Sequence, residues 1–197
     1  EEVGTDNILV GKDLRNENLA AMNLTGQDLT GANLAGQDLR NMDLTGTILR
    51  ATDLSNVNLS NQVLTKRDLT GSTLVGTIFA DTNLSLTKFN NSYISNVDFS
   101  SAFLWYTNFM DATIIDSDFS ENRLYSVVFG RAIITNTDFS YADLSFMKKE
   151  YVPYLSVIVE VEPNIKEIDL DKFDTHPDDL DYSSLYDKID EILWGHT

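Results

Sequence analysis

The sequence predicts an all-β solenoid whose coils each have four short sides, and two observations carry this prediction. A large apolar residue stands at every fifth position from Leu9 to Leu144, in 28 consecutive positions occupied by Leu, Ile or Phe. A period of five fits neither the 3.6-residue turn of an α-helix nor the two-residue alternation of an ordinary strand. It fits a chain that turns a corner after each short side and points one large apolar residue inward from it.

Four such sides close a coil of 20 residues, so residues 20 apart lie above one another. The four faces are numbered by their first central residue: Leu9 for the first face, Leu14 for the second, Leu19 for the third and Leu24 for the fourth. Stacked coils pair backbone to backbone ~4.8 Å apart, so about seven coils give a rod roughly 34 Å long. Each coil buries its interior only against its neighbours, and the two ends therefore need covering. The predicted organisation is a lead-in or cap at 1–8, the solenoid at 9–146 and an acidic appendage at 147–197.

The residues around the central positions follow a recognisable motif. Examples are Ala32-Asn33-Leu34-Ala35-Gly36, Met42-Asp43-Leu44-Thr45-Gly46 and Ala142-Asp143-Leu144-Ser145-Phe146. They resemble the A-[D/N]-L-x-x repeat of the pentapeptide-repeat family, and the resemblance extends over residues 7–146. It implies a right-handed quadrilateral β-helix. Members of this family have many different functions, so the resemblance indicates little about the activity of this chain.

The position two before each central residue departs from this motif in the early coils. The family prefers a small residue there, because that side chain also points inward, and from Ser72 to Ala142 the chain conforms except at Asn122. Earlier, these positions hold long side chains: Lys12, Glu17, Met22, Gln27, Gln37, Met42, Gln62 and Arg67. A long polar group cannot be left unpaired in a narrow core. We therefore expect these side chains to turn outward or the first coils to be distorted, above all around Gln62 and Arg67.

Composition excludes several classes of function. The chain has 14 Lys and Arg against 31 Asp and Glu, a net charge of -17, so it has no basic surface for general nucleic-acid binding. The absence of cysteine excludes disulfides, zinc thiolates and cysteine nucleophiles, and the two histidines, His176 and His196, are too few for a multi-histidine metal site. No apolar run approaches the ~20 residues of a membrane span. Neither a cofactor nor a metal is expected.

The fourth face changes from polar to aromatic along the rod. Its late outward positions carry six large apolar residues, here called the aromatic wall: Leu86, Phe103, Trp105, Tyr106, Tyr125 and Phe146. An exposed patch of this kind is typical of an interface. Two interpretations remain open: the chain's own tail covers the wall, or the wall binds a second copy or another protein.

The third face carries a column of carboxylates. The residues just before its last central positions are Asp98, Asp118 and Asp138, here called the acidic stripe. Short polar side chains of this type commonly satisfy backbone groups in turns, which is the structural interpretation. The functional interpretations are an imitation of nucleic-acid phosphates and, as a weaker alternative, a cation site.

The five-residue period ends after Phe146. Alternating residues predict a strand from Tyr154 to Val161, and an acidic stretch with Pro163 and Pro177 follows. An amphipathic helix is predicted at about 178–194. Its apolar face consists of Tyr182, Leu185, Tyr186, Ile189, Ile192 and Leu193. This face must be buried, and the open end of the last coil or the aromatic wall is the expected receiver.

Function is expected to lie in binding rather than catalysis. No Ser-His-Asp set, phosphate loop or dinucleotide motif occurs, and a convex rod offers no deep pocket that would shift the pKa of its carboxylates. The main hypothesis is a rigid structural or protein-binding module that docks to a protein partner, to a second copy or into a larger assembly through the aromatic wall and the tail. The acidic excess and the abundance of Asn, Ser and Thr fit an extracytoplasmic protein, although no targeting segment is visible.

The alternative is an acidic DNA mimic. Some acidic, loop-free members of the pentapeptide-repeat family bind type II topoisomerases, usually as dimers joined at the C-terminal end. This chain is similar to them in its unbroken repeat, its negative charge and its predicted C-terminal helix. It differs in that Asn58 and Ile78 interrupt the acidic column and in that its tail is longer than a simple dimer cap.

Overall fold

The computed structural model describes residues 9–143, whose backbone winds into a four-sided helix of parallel β-bridges. The bridges join residues 20 positions apart on successive coils, for example Asp13 with Asn33 and Asp98 with Asp118. The 20-residue coil expected from the sequence is therefore confirmed. The predicted lead-in at 1–8, residues 144–146 of the solenoid and the predicted appendage at 147–197 lie outside the described residues.

Regular secondary structure is brief, because each side of a coil has only a few residues. A 3-10 helix, η1, spans Leu19–Ala21. The strands are β1 Thr73–Val75, β2 Tyr93–Ser95, β3 Thr113–Ile115 and β4 Ile133–Thr135. They form one parallel sheet in the order β1-β2-β3-β4, with their central residues in register on the second face. β-branched residues are frequent in these strands, and such residues favour an extended backbone.

The corners are built by a left-handed residue two places after each central residue. Glycine, Asn and Asp hold many of these positions, and these residues tolerate a positive φ best. Bulkier residues also adopt it, including Leu86 at φ 63° and Tyr106 at φ 58°. Between Gly11 and Tyr141, only four corner positions lack the left-handed conformation: Asn16, Ala21, Asn41 and Ser101. Three of the four belong to the first two coils, so some irregularity does concentrate near the N-terminal end.

The core consists of four inward columns. Its leucines are replaced by phenylalanine from Phe79 onward on the first and third faces, and all phenylalanines from Phe79 to Phe129 in these columns are fully buried. Rings within one column stack, with Phe89 and Phe109 at 5.0 Å between ring centroids. Rings of the two opposite columns meet edge to face, as Phe99 and Phe109 do at 5.8 Å. Both arrangements are favoured by the ring quadrupole, so the late coils have a continuous aromatic core.

Small polar residues point into the same core and bond the backbone of the coil below. Their hydroxyls donate to the carbonyl oxygen of the residue 23 positions earlier, as Thr52 does to Leu29 at 3.1 Å. The same bond is made by Thr47, Ser72, Thr77, Thr82, Thr87 and Thr107. Most of these carbonyls also accept a backbone N–H of their own coil, as Leu29 O does from Ala32 N at 2.8 Å, so the bond chiefly satisfies the buried hydroxyl and ties the two coils together.

The long inward residues behave differently from one another. The expected distortion at Gln62 is wrong: this residue is buried and its Nε2 donates to the carbonyl oxygens of Leu39, Arg40 and Met42. Gln37 makes the equivalent three bonds one coil earlier, and Asn122 makes two in a later coil. By contrast, Lys12 and Glu17 are exposed at the start of the rod. Arg67 is half-buried, with a buried Nε that has no hydrogen-bond partner.

Candidate functional site

The aromatic wall arises because central residues point inward and their neighbours must point outward. Trp105 and Tyr125 follow the central residues Leu104 and Leu124 and lie on adjacent coils, with 6.5 Å between ring centroids. Tyr106 meets Tyr125 edge to face at 5.2 Å. Backbone hydrogen bonds hold the three coils together here, from Leu86 N to Trp105 O at 2.8 Å and from Tyr106 N to Tyr125 O at 2.9 Å. The wall therefore stands on a rigid backbone ladder.

The structure brings together four of the six predicted wall residues. Leu86, Trp105 and Tyr106 are half-buried, and Tyr125 is 37% exposed. Phe103 is 54% exposed but precedes its central residue, so it lies across the face from Trp105. Phe146 lies outside the described residues, as does the predicted packing face of the tail helix. Sequence reasoning missed Val63, which is 48% exposed in the same column as Phe103.

A shallow depression of about 200 Å³ opens on this face. It is lined by Trp105, Arg123, Tyr125 and Asp143. Arg123 and Asp143 are bridge partners on successive coils, so the depression has an aromatic side and a charged side. Such a surface fits an amphipathic segment better than a small polar ligand. The two charged residues were missed from the sequence, although their 20-residue spacing places them in one column.

Asp98, Asp118 and Asp138 of the acidic stripe lie on successive coils and are joined by consecutive bridges. Each carboxylate accepts a hydrogen bond from the backbone N–H two residues later, at 2.8, 2.7 and 2.7 Å. The hydrogen bonds from Ser140 hold the pKa of Asp138 below its usual range. Asn58 and Asn108 make the same backbone contact at equivalent corners, so the structural interpretation of these residues as turn caps is confirmed.

Among residues 9–143, the late coils of the third face contain no ion pair. Within residues 9–143, arginines form ion pairs with four aspartates: Asp13–Arg15, Asp38–Arg40, Asp68–Arg50 and Asp111–Arg131. Of these aspartates, only Asp38 belongs to the third face. The side-chain hydrogen bond from Arg15 lowers the pKa of Asp13 to about 2. No ion pair is formed by the acidic stripe, Asp81 or Glu121 among residues 9–143. The late coils of the third face therefore present uncompensated negative charge.

The described part of the chain offers neither a metal site nor a membrane span. Residues 9–143 contain no group of three or more His, Cys, Asp or Glu side chains placed to hold a metal ion. The same residues include no helix long and apolar enough to cross a membrane.

Comparisons with known proteins agree with this geometry. A family profile for pentapeptide repeats matches the chain in eight copies, including residues 18–56, 28–65 and 52–91. No curated protein sequence matches the chain. Among solved structures, HetL, a pentapeptide repeat protein involved in heterocyst differentiation regulation from the cyanobacterium Nostoc sp. strain PCC 7120, is 21% identical with a TM-score of 0.53. The match covers 63% of this chain and 56% of HetL, so the chain spans little more than half the length of HetL.

Two further structures match with lower TM-scores. The pentapeptide repeat protein Rfr23 from the cyanobacterium Cyanothece 51142 is 22% identical, with a TM-score of 0.45 over 58% of this chain and 89% of that protein. A pentapeptide repeat protein from the Arabidopsis thaliana thylakoid lumen is 21% identical, with a TM-score of 0.34 over 80% of this chain and 83% of that protein. The five-residue period, the 20-residue coil and the profile match together show that the chain belongs to the pentapeptide-repeat family of right-handed quadrilateral β-helices, generally non-enzymatic structural and protein-binding scaffolds.

Proposed function

We propose that this protein is a non-enzymatic binding module, a rigid rod that docks to a protein partner or into a larger assembly through the aromatic wall and the C-terminal appendage. The observation that carries the proposal is the Trp105–Tyr106–Tyr125 cluster on the surface of a strongly acidic chain. Aromatic side chains supply much of the energy of protein interfaces, because they bury a large area at a low entropic cost. The backbone ladder beneath the cluster keeps it in one geometry, which lowers the entropic cost of binding further.

The test is the size of the native complex, measured in gentle extracts that include membranes. Full-length protein is compared with Trp105→Ser/Tyr125→Ser, which removes the two rings that line the depression. Tyr141→Ser is the matched control, because Tyr141 is 74% exposed and lies on the third face. We expect the parent and the control to migrate in a larger complex and the double variant to be released from it. A parent protein that migrates alone, or a double variant that stays in the complex, contradicts the proposal.

An acidic DNA mimic that binds a type II topoisomerase is the second candidate function. The uncompensated charge of Asp98, Asp118 and Asp138 favours it, because these carboxylates follow one another at ~4.8 Å along a straight rod. Ile78, which is 45% exposed, interrupts the column toward the N-terminal end and shortens the mimic. Binding to gyrase at low salt tests this candidate, since electrostatic attraction is strongest there. Loss of binding in the triple Asp→Asn variant of the stripe would support it, and absence of binding by the parent would exclude it.

A further inference from the structure

The fourth face differs from the third in charge as well as in aromatic content. It carries Lys66 and Arg123 against Asp43 and Asp143, and Arg67 stands at its next corner. The third face carries seven acidic residues and one basic residue in the described part of the chain. With two basic and two acidic side chains the fourth face is close to neutral, so an acidic amphipathic segment meets less repulsion here than on the third face.

Polar atoms on this face also lack partners. Thr65 Oγ1, Ser85 Oγ and Arg67 Nε are buried and form no hydrogen bond. Thr65 and Ser85 occupy equivalent positions on adjacent coils, directly below Trp105 in the same column, and Ser85 is only 1% exposed. All three atoms can donate a hydrogen bond, and buried donors are normally satisfied. Because all three atoms are buried, they mark places where the rod itself is imperfectly satisfied and are not donors that a docking ligand reaches.

We propose that the occupant of the fourth face is the chain's own C-terminal segment, residues 147–197. The described rod ends at Asp143, which itself lines the depression, so the segment begins beside the surface that it would cover. Residues 147–197 hold 13 acidic and 5 basic residues, so the near-neutral fourth face repels this segment less than the acidic third face does. This inference rests on the proposed function. If the tail occupies the docking surface, a partner must either bind beside the tail or displace it.

Length and electrostatics favour the tail over a second copy. The helix predicted at 178–194 would be ~25 Å long, which fits along a rod of roughly 34 Å. About 30 residues separate it from the end of the rod, enough to reach any coil. Two copies of a chain with net charge -17 repel each other, and although the tail is also acidic, its tether keeps it at an effective concentration on the order of millimolar.

The absence of cysteine permits a direct test in the full chain, since a single introduced cysteine carries a spin label at one place. A nitroxide at Ser184→Cys, in the predicted helix, broadens the amide signals of nearby residues in isotope-labelled protein. We expect the strongest broadening at Trp105 and Tyr125 and the weakest on the second face across the rod, at Tyr93 and Thr113. Broadening that is absent, or centred on another face, overturns the proposal. A mixture of chains that carry only the spin label and chains that carry only the isotope label reports contacts between molecules. If the broadening arises only between molecules, the occupant is a second copy and the proposal is overturned.

Charge reversal supplies a second measurement with a matched control. Arg123→Glu and Lys88→Glu change the net charge equally, but Lys88 is exposed on the first face. We expect Arg123→Glu to weaken the broadening at Trp105 roughly two- to five-fold and Lys88→Glu to leave it unchanged. An equal effect of both variants contradicts the proposal. Both measurements use the isolated protein, so a missing tail contact overturns this inference alone, while a missing native complex overturns only the proposed function.

Discussion

Gln62 donates a hydrogen bond from Nε2 to the carbonyl oxygen of Leu39, 23 residues earlier, over 2.6 Å. The same amide also reaches the carbonyl oxygens of Arg40 at 3.1 Å and Met42 at 2.9 Å. One side-chain amide thus lies within hydrogen-bond distance of three backbone carbonyls at the corner of the coil below, which share its two N–H groups. Threonine in the same position of other coils reaches the first of these carbonyls, as Thr52 illustrates with its bond to Leu29.

Replacing Gln62 by leucine should therefore destabilise the rod by roughly 1–3 kcal/mol, because the carbonyls of Arg40 and Met42 lose their donor. The carbonyl of Leu39, by contrast, keeps its hydrogen bond from Met42 N at 3.1 Å. Gln27→Leu is the matched control, since Gln27 also stands two places before a central residue, on the neighbouring face, and its side chain forms no hydrogen bond within residues 9–143. The control should change the free energy of unfolding by less than about 0.5 kcal/mol. Urea unfolding of both variants measures the difference, and equal effects would show that the three bonds contribute nothing.

The opposite outcome is expected for Arg67. It occupies the column of Thr47 and Thr87, whose hydroxyls donate to Leu24 and Leu64, respectively. Its buried Nε has no partner, so it carries a desolvation cost that a threonine would not. Arg67→Thr should donate to the carbonyl of Leu44 and raise the free energy of unfolding by about 1 kcal/mol. Thermal or urea unfolding checks the sign, and a destabilised variant would show that the arginine makes a favourable contribution that the threonine cannot replace.

Much of this fold could be predicted from the sequence because one repeated residue determines it. The five-residue period fixes which side chains point inward, and the number of sides then fixes the 20-residue spacing seen in every β-bridge. The error at Gln62 has a physical origin. The length of the side chain suggested a conflict with the narrow core, whereas the amide bonds the corner instead of filling the interior.

The candidate site was less predictable than the fold. Periodicity placed Trp105 and Tyr125 in one column, but the depression also needs Arg123 and Asp143, which precede their central residues. The five-residue period does not encode how wide each face is. It therefore does not predict which columns of side chains lie close enough to form one depression. The pairing state of the aspartates was equally hidden, since an arginine reaches its aspartate across 18 residues in one pair and across two in another.

Acid should remove the stabilisation that the paired aspartates provide. The side-chain hydrogen bond from Arg15 lowers the pKa of Asp13 to about 2, and Arg40 likewise lowers the pKa of Asp38. The unfolded chain has a higher pKa for these groups, ~3.9, so it binds more protons in this window and stability rises with pH. The contribution is complete above about pH 4 and disappears as the pH falls toward about 2.

The double variant Asp13→Asn/Asp38→Asn isolates this effect from the rest of the charge. Asparagine keeps the oxygen that accepts from the backbone but loses the ion pair, as Asn33 shows at an equivalent corner. The urea midpoint of the parent should exceed that of the variant between about pH 5 and 7, and the two midpoints should converge near about pH 2. A gap that persists in acid would mean that the pairs act through packing and not through charge.

Two substitutions of Asp118, in the acidic stripe, separate the stability contributed by its turn-capping hydrogen bond from the effect of its charge. Its Oδ1 accepts from Ser120 N at 2.7 Å, a contact that asparagine makes at Asn58 over 3.0 Å. Asp118→Ala should therefore cost about 1 kcal/mol of unfolding free energy. Asp118→Asn should be neutral or slightly stabilising, because it keeps the cap and removes repulsion from Asp98 and Asp138, ~4.8 Å along the column. Any gain of the asparagine variant should shrink in high salt, which screens exposed charges. If Asp118→Asn were as unstable as Asp118→Ala, the carboxylate charge itself would be required for the turn.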